Sequence, residues 1–286
     1  MIENTRNYRI PPAEWRVVDD KAYPVHLGLS IDEALVELAA ISGSSDNKLN
    51  VIRFYQFAPP CVVLGLHQDP GDIHMEYISS RQLQVGRRIT GGGAIIMGVP
   101  DEDSQVGISI IYQHDDGFPL KLGSRYALLA SPIVHALRSI GIDARYQSNS
   151  DITVGGKKIA GQAIFSTGTF TFMHSTVNIT YDLPTMLGVM GKVIEPSILL
   201  KMHQSFTTLV DLLGNPNKGE ILKSLKGAIV DAMKEEWKAK IHVEPLKRAE
   251  MQLARRMERE KHSNPAYIFN REGTGMGSCF TREDEI

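Results

Sequence analysis

Cysteine is nearly absent. Cys61 and Cys279 are the only two among 286 residues, and their wide separation matches neither a disulfide framework nor a zinc-ligand spacing. That excludes a stapled secreted scaffold and fits a chain of a reducing cytoplasm. An excess of one charge is missing too. Lys and Arg number 31 against 33 Asp and Glu, leaving −2, so no whole-molecule field draws the chain to nucleic acid or to an anionic membrane. No apolar run approaches the ~18 residues that cross a bilayer, and no basic–apolar–small leader is visible. Internal repeats and low-complexity tracts are also lacking. What is present is ordinary globular composition, 42% hydrophobic and 22% charged, enough for a large core in one domain or two.

Periodicity gives the elements. Residues 1–16 are polar and contain proline, which predicts an extended arm. "LSIDEALVELAAIS" spaces Ile31, Ala34, Leu35, Leu38 and Ala39 as a helix, with Ser30 as its N-cap. "VIRFYQFA" and "CVVLGL" read as strands split by Pro59-Pro60, and "AIIMG" and "VGISIIY" as two more joined by the acidic "VPDEDSQ". "SRYALLASPIVHALRSIG" is an amphipathic helix stopped at Gly141 despite Pro132. Residues 144–182 alternate like β-hairpins with glycine turns. Loops and short helices follow over 183–215, a charged helical part over about 216–270, and a tail over 274–286. The order predicts a mixed α+β (α/β) fold with a central, largely antiparallel sheet and flanking helices, as one domain over 1–273.

Three stretches carry candidate chemistry. "RRITGGGAIIMG" (87–98) puts two arginines and three glycines before an apolar run. A bulge before a strand explains it, and so does a bare backbone that holds an anion with Arg88 beside it. It is neither a Walker loop nor a GxGxxG dinucleotide motif. "SDITVGGKKIAGQA" (150–163) leads through a glycine turn into Lys157 and Lys158, which alternation sends to opposite faces. The pair reads as solvated lysines or, given the small residues of "IAGQA", as one lysine beside a closely packed ligand. His174 in "FMHSTVNI" reads as a hydrogen-bonded structural residue or as a site residue. Cys61, behind Pro60, reads as a buried inert thiol.

Together these stretches resemble lipoate–protein ligases. The first is similar to that family's RRxSGGGAVxHD motif, the second to NDxxxxGRKxxGSA, and "HSTVNI", sixteen residues after Lys158, to its HGTLL strand. "VVLGLHQDP" resembles IGRxQNP, "LSIDEAL" resembles ALDEAL, and "RMEREKHSNPAYIFNREG" resembles LxxEKYxxxxWxxxxG. The resemblance covers roughly residues 15–273 and implies the biotin/lipoate ligase fold. It also implies activation of lipoate by ATP to lipoyl-adenylate, then transfer to a lysine of a carrier domain. That carrier would be a glycine-cleavage H-like protein or a 2-oxoacid dehydrogenase E2 domain.

Carried over, Lys158 is the catalytic lysine that holds the carboxylate and the α-phosphate. Arg88, the loop Gly91, Gly92, Gly93, Ala94, and then Ile95 and Ile96 meet the adenylate. Thr90, Gly161, Gln162 and His174 shape the lipoyl pocket, and Asp151 is a contact for magnesium. The pattern is not complete. Met97-Gly98 replace a His-Asp pair, Gln162 a serine, Lys157 an arginine and Ser150 an asparagine. Long family members carry an accessory domain; by resemblance to shorter members either a separate accessory polypeptide completes the ligase or this version works alone. A related octanoyl/lipoyl transferase branch uses a cysteine instead of ATP, but "ARYQSNSD", where that thiol would sit, has none. A biotin ligase would show a GRGRxGR-type loop. An inactive carrier-binding module is the remaining alternative.

Overall fold

The computed structural model describes residues 8–42, 50–114, 118–147, 150–192, 195–214 and 217–270. Eight strands form one sheet in the order β11-β1-β2-β6-β10-β9-β8-β7. They are β1 (Glu14–Tyr23), β2 (Val51–Phe57), β6 (Gln105–Gln113), β7 (Ala144–Gln147), β8 (Asp151–Val154), β9 (Lys157–Ser166), β10 (Phe170–Asn178) and β11 (Lys240–Val243). From β2 to β7 every neighbour is antiparallel. β1 runs parallel to both its neighbours, as the helical crossover α1 (Val25–Ser42) between β1 and β2 requires. A second sheet holds β4 (Gln84–Arg87), β3 (Cys61–Leu64) and β5 (Ile95–Met97), in that order.

Alternation gives the large sheet two covered faces. Trp15, Phe54, Ile108, Ile110 and Met173 face α3 (Leu122–Ser139) and α7 (Lys218–Glu236), which contribute Leu129, Ile133, Leu225 and Ile229 to the same core. Val18, Val51, Ile111, Phe170 and Phe172 face α1 and α8 (Arg248–Met257). The small sheet lies on this second side. One of its faces is buried with Val25 and Leu29 of α1. The other packs on α2 (Met75–Ser80) and α4 (Leu183–Val189). The short helices α5 (Pro196–Ser205) and α6 (Leu209–Leu213) and the terminal α9 (Pro265–Asn270) complete the described elements. No helix among the described residues is long and apolar enough to cross a membrane.

Two expectations need correction. The first helix begins at Val25, just after Pro24, and Ser30 lies inside it with its hydroxyl donating to the His26 carbonyl at 2.7 Å. A serine can return its proton to the preceding turn, so it is not confined to caps. The extended arm also ends earlier than expected, because β1 already starts at Glu14. Residues 1–7 and the tail, with Cys279, lie outside the described residues.

Candidate active site

A bulge in β9 decides which way Lys158 faces. Ile152 pairs with Ala160 and Thr153 with Lys158, so Ile159 is an extra residue. Ile159 and Ala160 are both fully buried in the α3–α7 core. The slip carries Lys158 across to the α1 face, beside Gly161; unbroken alternation would have grouped it with Ala160. A Cβ on Gly161 would lie 3.0 Å from Lys158 Cε and 3.1 Å from Nζ, so the missing side chain is the channel in which the lysine lies. Its ammonium meets Asp151 Oδ1 at 2.6 Å, both side chains about one-third exposed. On its other edge the Lys158 carbonyl accepts from Thr207 N–H at 2.9 Å, which pins the backbone.

The glycine-rich loop lies opposite, held by Arg88. This guanidinium is 4% exposed. It donates to the carbonyls of Gly91 (2.6 Å), Gly93 (2.9 Å) and Val63 (3.2 Å), and to Thr90 Oγ1 (3.1 Å). Burial pulls its pKa down to about 10, which leaves it charged at neutral pH. Gly92 takes φ +92° with the Arg88 guanidinium where a Cβ would go, so the chain itself demands this glycine. Gly91 and Gly93 face open space, and nothing in the protein demands them. Thr90 Oγ1 is 2.6 Å from His174 Nε2. Burial, then the Arg88 charge, hold His174 down to about 3, so the imidazole is neutral. Thr90 Oγ1 thus accepts from Arg88 and shares one hydrogen bond with the imidazole.

Between the loop and β9–β10 lies a cleft of about 300 Å³. Ala94, Ile95 and Ile96 line one wall, Lys158, Gly161, Thr176 and Asn178 the other, and Val99, Met186, Met190 and Phe206 close the end. Of the expected residues, five therefore line the cleft: Ala94, Ile95, Ile96, Lys158 and Gly161. Arg88, Thr90 and His174 form a buried cluster behind the loop. Gln162 corrects an expectation. It lies on β9 between Ala160 and Ile164, which both pack in the α3–α7 core, so it points away from the cleft. Asp151 reaches Lys158, and no group of three or more His, Cys, Asp or Glu gathers around it among the described residues. A wider groove of about 590 Å³ between α3 and α7 is lined by His135, Asp231 and Glu235, among others, and shares none of these groups.

Other site residues were not picked out from the sequence. Arg87, fully buried, donates to the carbonyls of Gly65 (2.6 Å), Leu66 (3.0 Å), Gln68 (2.9 Å) and Ile268 (2.7 Å). The doubled arginine was the available signal, because both members brace loops. Gln105 accepts from Gly98 N–H at 2.9 Å and donates to the carbonyls of Val99 and Thr180 at 3.1 and 2.8 Å. Gly98 has φ +75°, and a Cβ there would sit 2.6 Å from the Phe57 carbonyl oxygen. This accounts for one departure from the motif, since no aspartate fits at 98. Met97 is fully buried beside Cys61, in the core under the small sheet.

Residues 25–221 match the family model described as lipoyl protein ligase A/B catalytic domain. The chain belongs to this family. Lipoyl protein ligase A/B relatives include the octanoyltransferase LipM of Moorella thermoacetica, 26% identical over 75% of this chain and 84% of its own length. A putative lipoate-protein ligase A of Aeropyrum pernix is 29% identical over 55% of this chain, and the match spans 54% of that protein. The bi-partite lipoate protein ligase of Thermoplasma acidophilum, studied with its E2 lipoyl domain, superposes with a TM-score of 0.75 at 20% identity. That match covers 91% of this chain and 96% of the other, and it shows the shared fold.

Proposed function

We propose that residues 1–273 act as one ATP-dependent lipoate–protein ligase unit. The lipoate carboxylate oxygen attacks the α-phosphorus of ATP, a new P–O bond forms, and pyrophosphate leaves. The acceptor lysine amine then attacks the acyl carbonyl, and AMP leaves. The observation that carries this reading is Lys158. The β9 bulge and the Gly161 channel aim a cation into a cleft whose opposite wall is Ala94, Ile95 and Ile96, the residues that directly follow the glycine loop. Bringing a carboxylate to a triphosphate joins two anions, and such a cation offsets the repulsion and the charge that grows at phosphorus. Asp151 holds this ammonium, and an incoming carboxylate would take over that contact. A magnesium ion would be held mainly by phosphate oxygens, with Asp151 as one protein ligand.

The octanoyltransferase relative favours a second reading, acyl transfer between carriers without ATP. That route, in the transferase branch, needs a thiol nucleophile. Cys61 is fully buried and unbonded to any other cysteine, and burial pushes its thiol well above the ordinary range, so it is inert. The acceptor is proposed to be a lipoyl carrier domain of the H-like or E2 kind, and a separate accessory polypeptide is proposed to support transfer. The proposed setting is cytoplasmic.

The test is mass spectrometry after incubation with lipoate, ATP and magnesium, with and without a lipoyl domain. The expected result is lipoyl-adenylate or an ATP-dependent adduct on the carrier lysine. Neither product, with candidate accessory chains also present, together with ATP-independent acyl transfer between carriers, would select the second reading.

A further inference from the structure

Behind the cleft wall, on the α3–α7 side of the sheet, two polar residues are buried together. Gln162 on β9 and Ser175 on β10 stand directly opposite each other in the antiparallel register. Residues paired in this way share a face, with Cβ atoms about 5 Å apart. Gln162 is 9% exposed and Ser175 1%. Gln162 Oε1, Gln162 Nε2 and Ser175 Oγ all lack a hydrogen-bond partner among the described residues. The residues around them are apolar. Ala160 and Ile164 flank Gln162, Met173 and Val177 flank Ser175, and Ile108 lies across on β6. Two residues along β9 the Ile164 N–H donates to Tyr126 Oη at 3.2 Å, so that hydroxyl is already engaged.

We infer that Gln162 and Ser175 hold one buried water between β9 and β10. Native interiors satisfy buried amides and hydroxyls with protein or with ordered water, because an orphaned group costs more than a hydrogen bond gains. The donor set decides the ligand. Gln162 presents one acceptor oxygen and an amide with two donors, and Ser175 can act either way. A metal cation would meet the Nε2 donor, and an anion would meet Oε1. Water donates and accepts, and about three polar partners are usual for an internal one. The place gives it a task. The next pairs in register, Thr176 with Gly161 and His174 with Ala163, point to the opposite face, where Thr176 and Gly161 line the cleft. β9 is least supported at this point, because it carries the bulge at Ile159 and β8 pairs with it no further than Gly161. A water bonded to both strands ties them there. The family's GSA reads GQA here and its HGTLL reads HSTVN, so Gln162 and Ser175 are both departures and fall on one cross-strand pair. The inference holds whichever acyl-transfer route the cleft uses.

A crystal structure of the unmodified chain that shows ordered water tests the site directly. One water within hydrogen-bond distance of both the Gln162 carboxamide and Ser175 Oγ is expected. A direct Gln162–Ser175 hydrogen bond, or a dry contact between the two side chains, would overturn the inference. Urea unfolding of Gln162→Leu, Ser175→Ala and the double variant tests the coupling. Each single replacement removes one side of the bridge and leaves the other buried, so each should lower the urea midpoint. The double variant removes all three polar atoms, and its midpoint should fall by less than the sum of the two single shifts. Additive shifts would mean that the two side chains share no partner, and the water bridge would be abandoned.

Discussion

Lys158 and Gly161 work as one device, and they can be separated by mutation. Lys158→Ala should cut lipoyl-adenylate formation about 100- to 1,000-fold, the range for losing one fixed charge-stabilising donor. The Asp151 pair is one-third exposed, so its loss should change stability by no more than about 1 kcal/mol. A stopped assay for adenylate and a thermal melt on the same sample check both halves. Gly161→Ala leaves the lysine in place but puts a methyl group into its channel, 3.0 Å from Cε. The flexible lysine then swings aside, and kcat should fall about ten- to hundredfold with little change in melting temperature. Gly98→Ala should do the reverse of Lys158→Ala. Left-handed strain of about 1–3 kcal/mol, plus the clash with the Phe57 carbonyl, should lower the melting temperature by several degrees. The glycine loop stood out from residue type, but Lys158 and Gly161 were singled out only by likeness to the family's motif, because alternation left the two lysines open. The facing of Gln162 was not legible, because a side chain's face depends on strand register, and no local pattern announces the bulge at Ile159.

The C-terminal elements matter through what they fasten. Glu33 of α1 is nearly buried and meets Lys261 Nζ at 2.7 Å and His262 Nε2 at 2.6 Å, both on the π-helical turn between α8 and α9. Five residues past that turn Tyr267 packs edge-on against His262, and the Ile268 carbonyl accepts from Arg87. The segment thereby ties α1 to the loop at Gly65–Gln68. Burial by itself opposes ionisation of Glu33. The His262 hydrogen bond and the Lys261 charge outweigh it and bring the pKa from 4.5 down to about 2. A carboxylate whose folded pKa is depressed stabilises fully above its unfolded value, and that contribution fades as pH falls through the folded one. The window is therefore about pH 4.5 down to 2, and the amount is on the order of 3 kcal/mol. Glu33→Gln should lose stability of that order at pH 7. Urea titrations from pH 7 to pH 2 should show its stability converging with that of the unmodified chain at the acid end. The helices here were legible from charge and periodicity. β11 was not, since its four residues, mostly exposed, form an edge strand with no alternating apolar signal. β1 was not read either, since its first residues fall inside the stretch expected as an extended arm and the rest carries acidic and basic residues among its apolar ones.

Taken as a whole, the molecule divides its labour between the two faces of one sheet. The α3–α7 side is apolar core, while the α1 side carries the buried arginines, His174, Lys158 and the cleft. Mixed architecture was legible from the order of patterns, and the family from several short motifs in sequence. Neither sheet membership nor facing could be read, because they depend on pairings far apart in the chain, such as β1 with β11. This division bears on the choice between ligation and thiol-dependent transfer. Cys61 is buried beneath the small sheet, against Met97 and Val63, and Lys158 stands in open cleft. A chain that activates lipoate with ATP needs no thiol anywhere. Cys61→Ala combined with Cys279→Ser removes every sulfhydryl at a stability cost of about 1–2 kcal/mol for the small cavity at 61. The thiol-free chain should retain at least half of its ATP-dependent lipoylation of a carrier domain, measured below its melting temperature by intact-mass spectrometry. It should also resist iodoacetamide. Complete loss of acyl transfer in the folded double variant, with loss restricted to Cys279→Ser among the single variants, would place a nucleophile at Cys279. The ATP-free route would then replace ligation as the reading of this site.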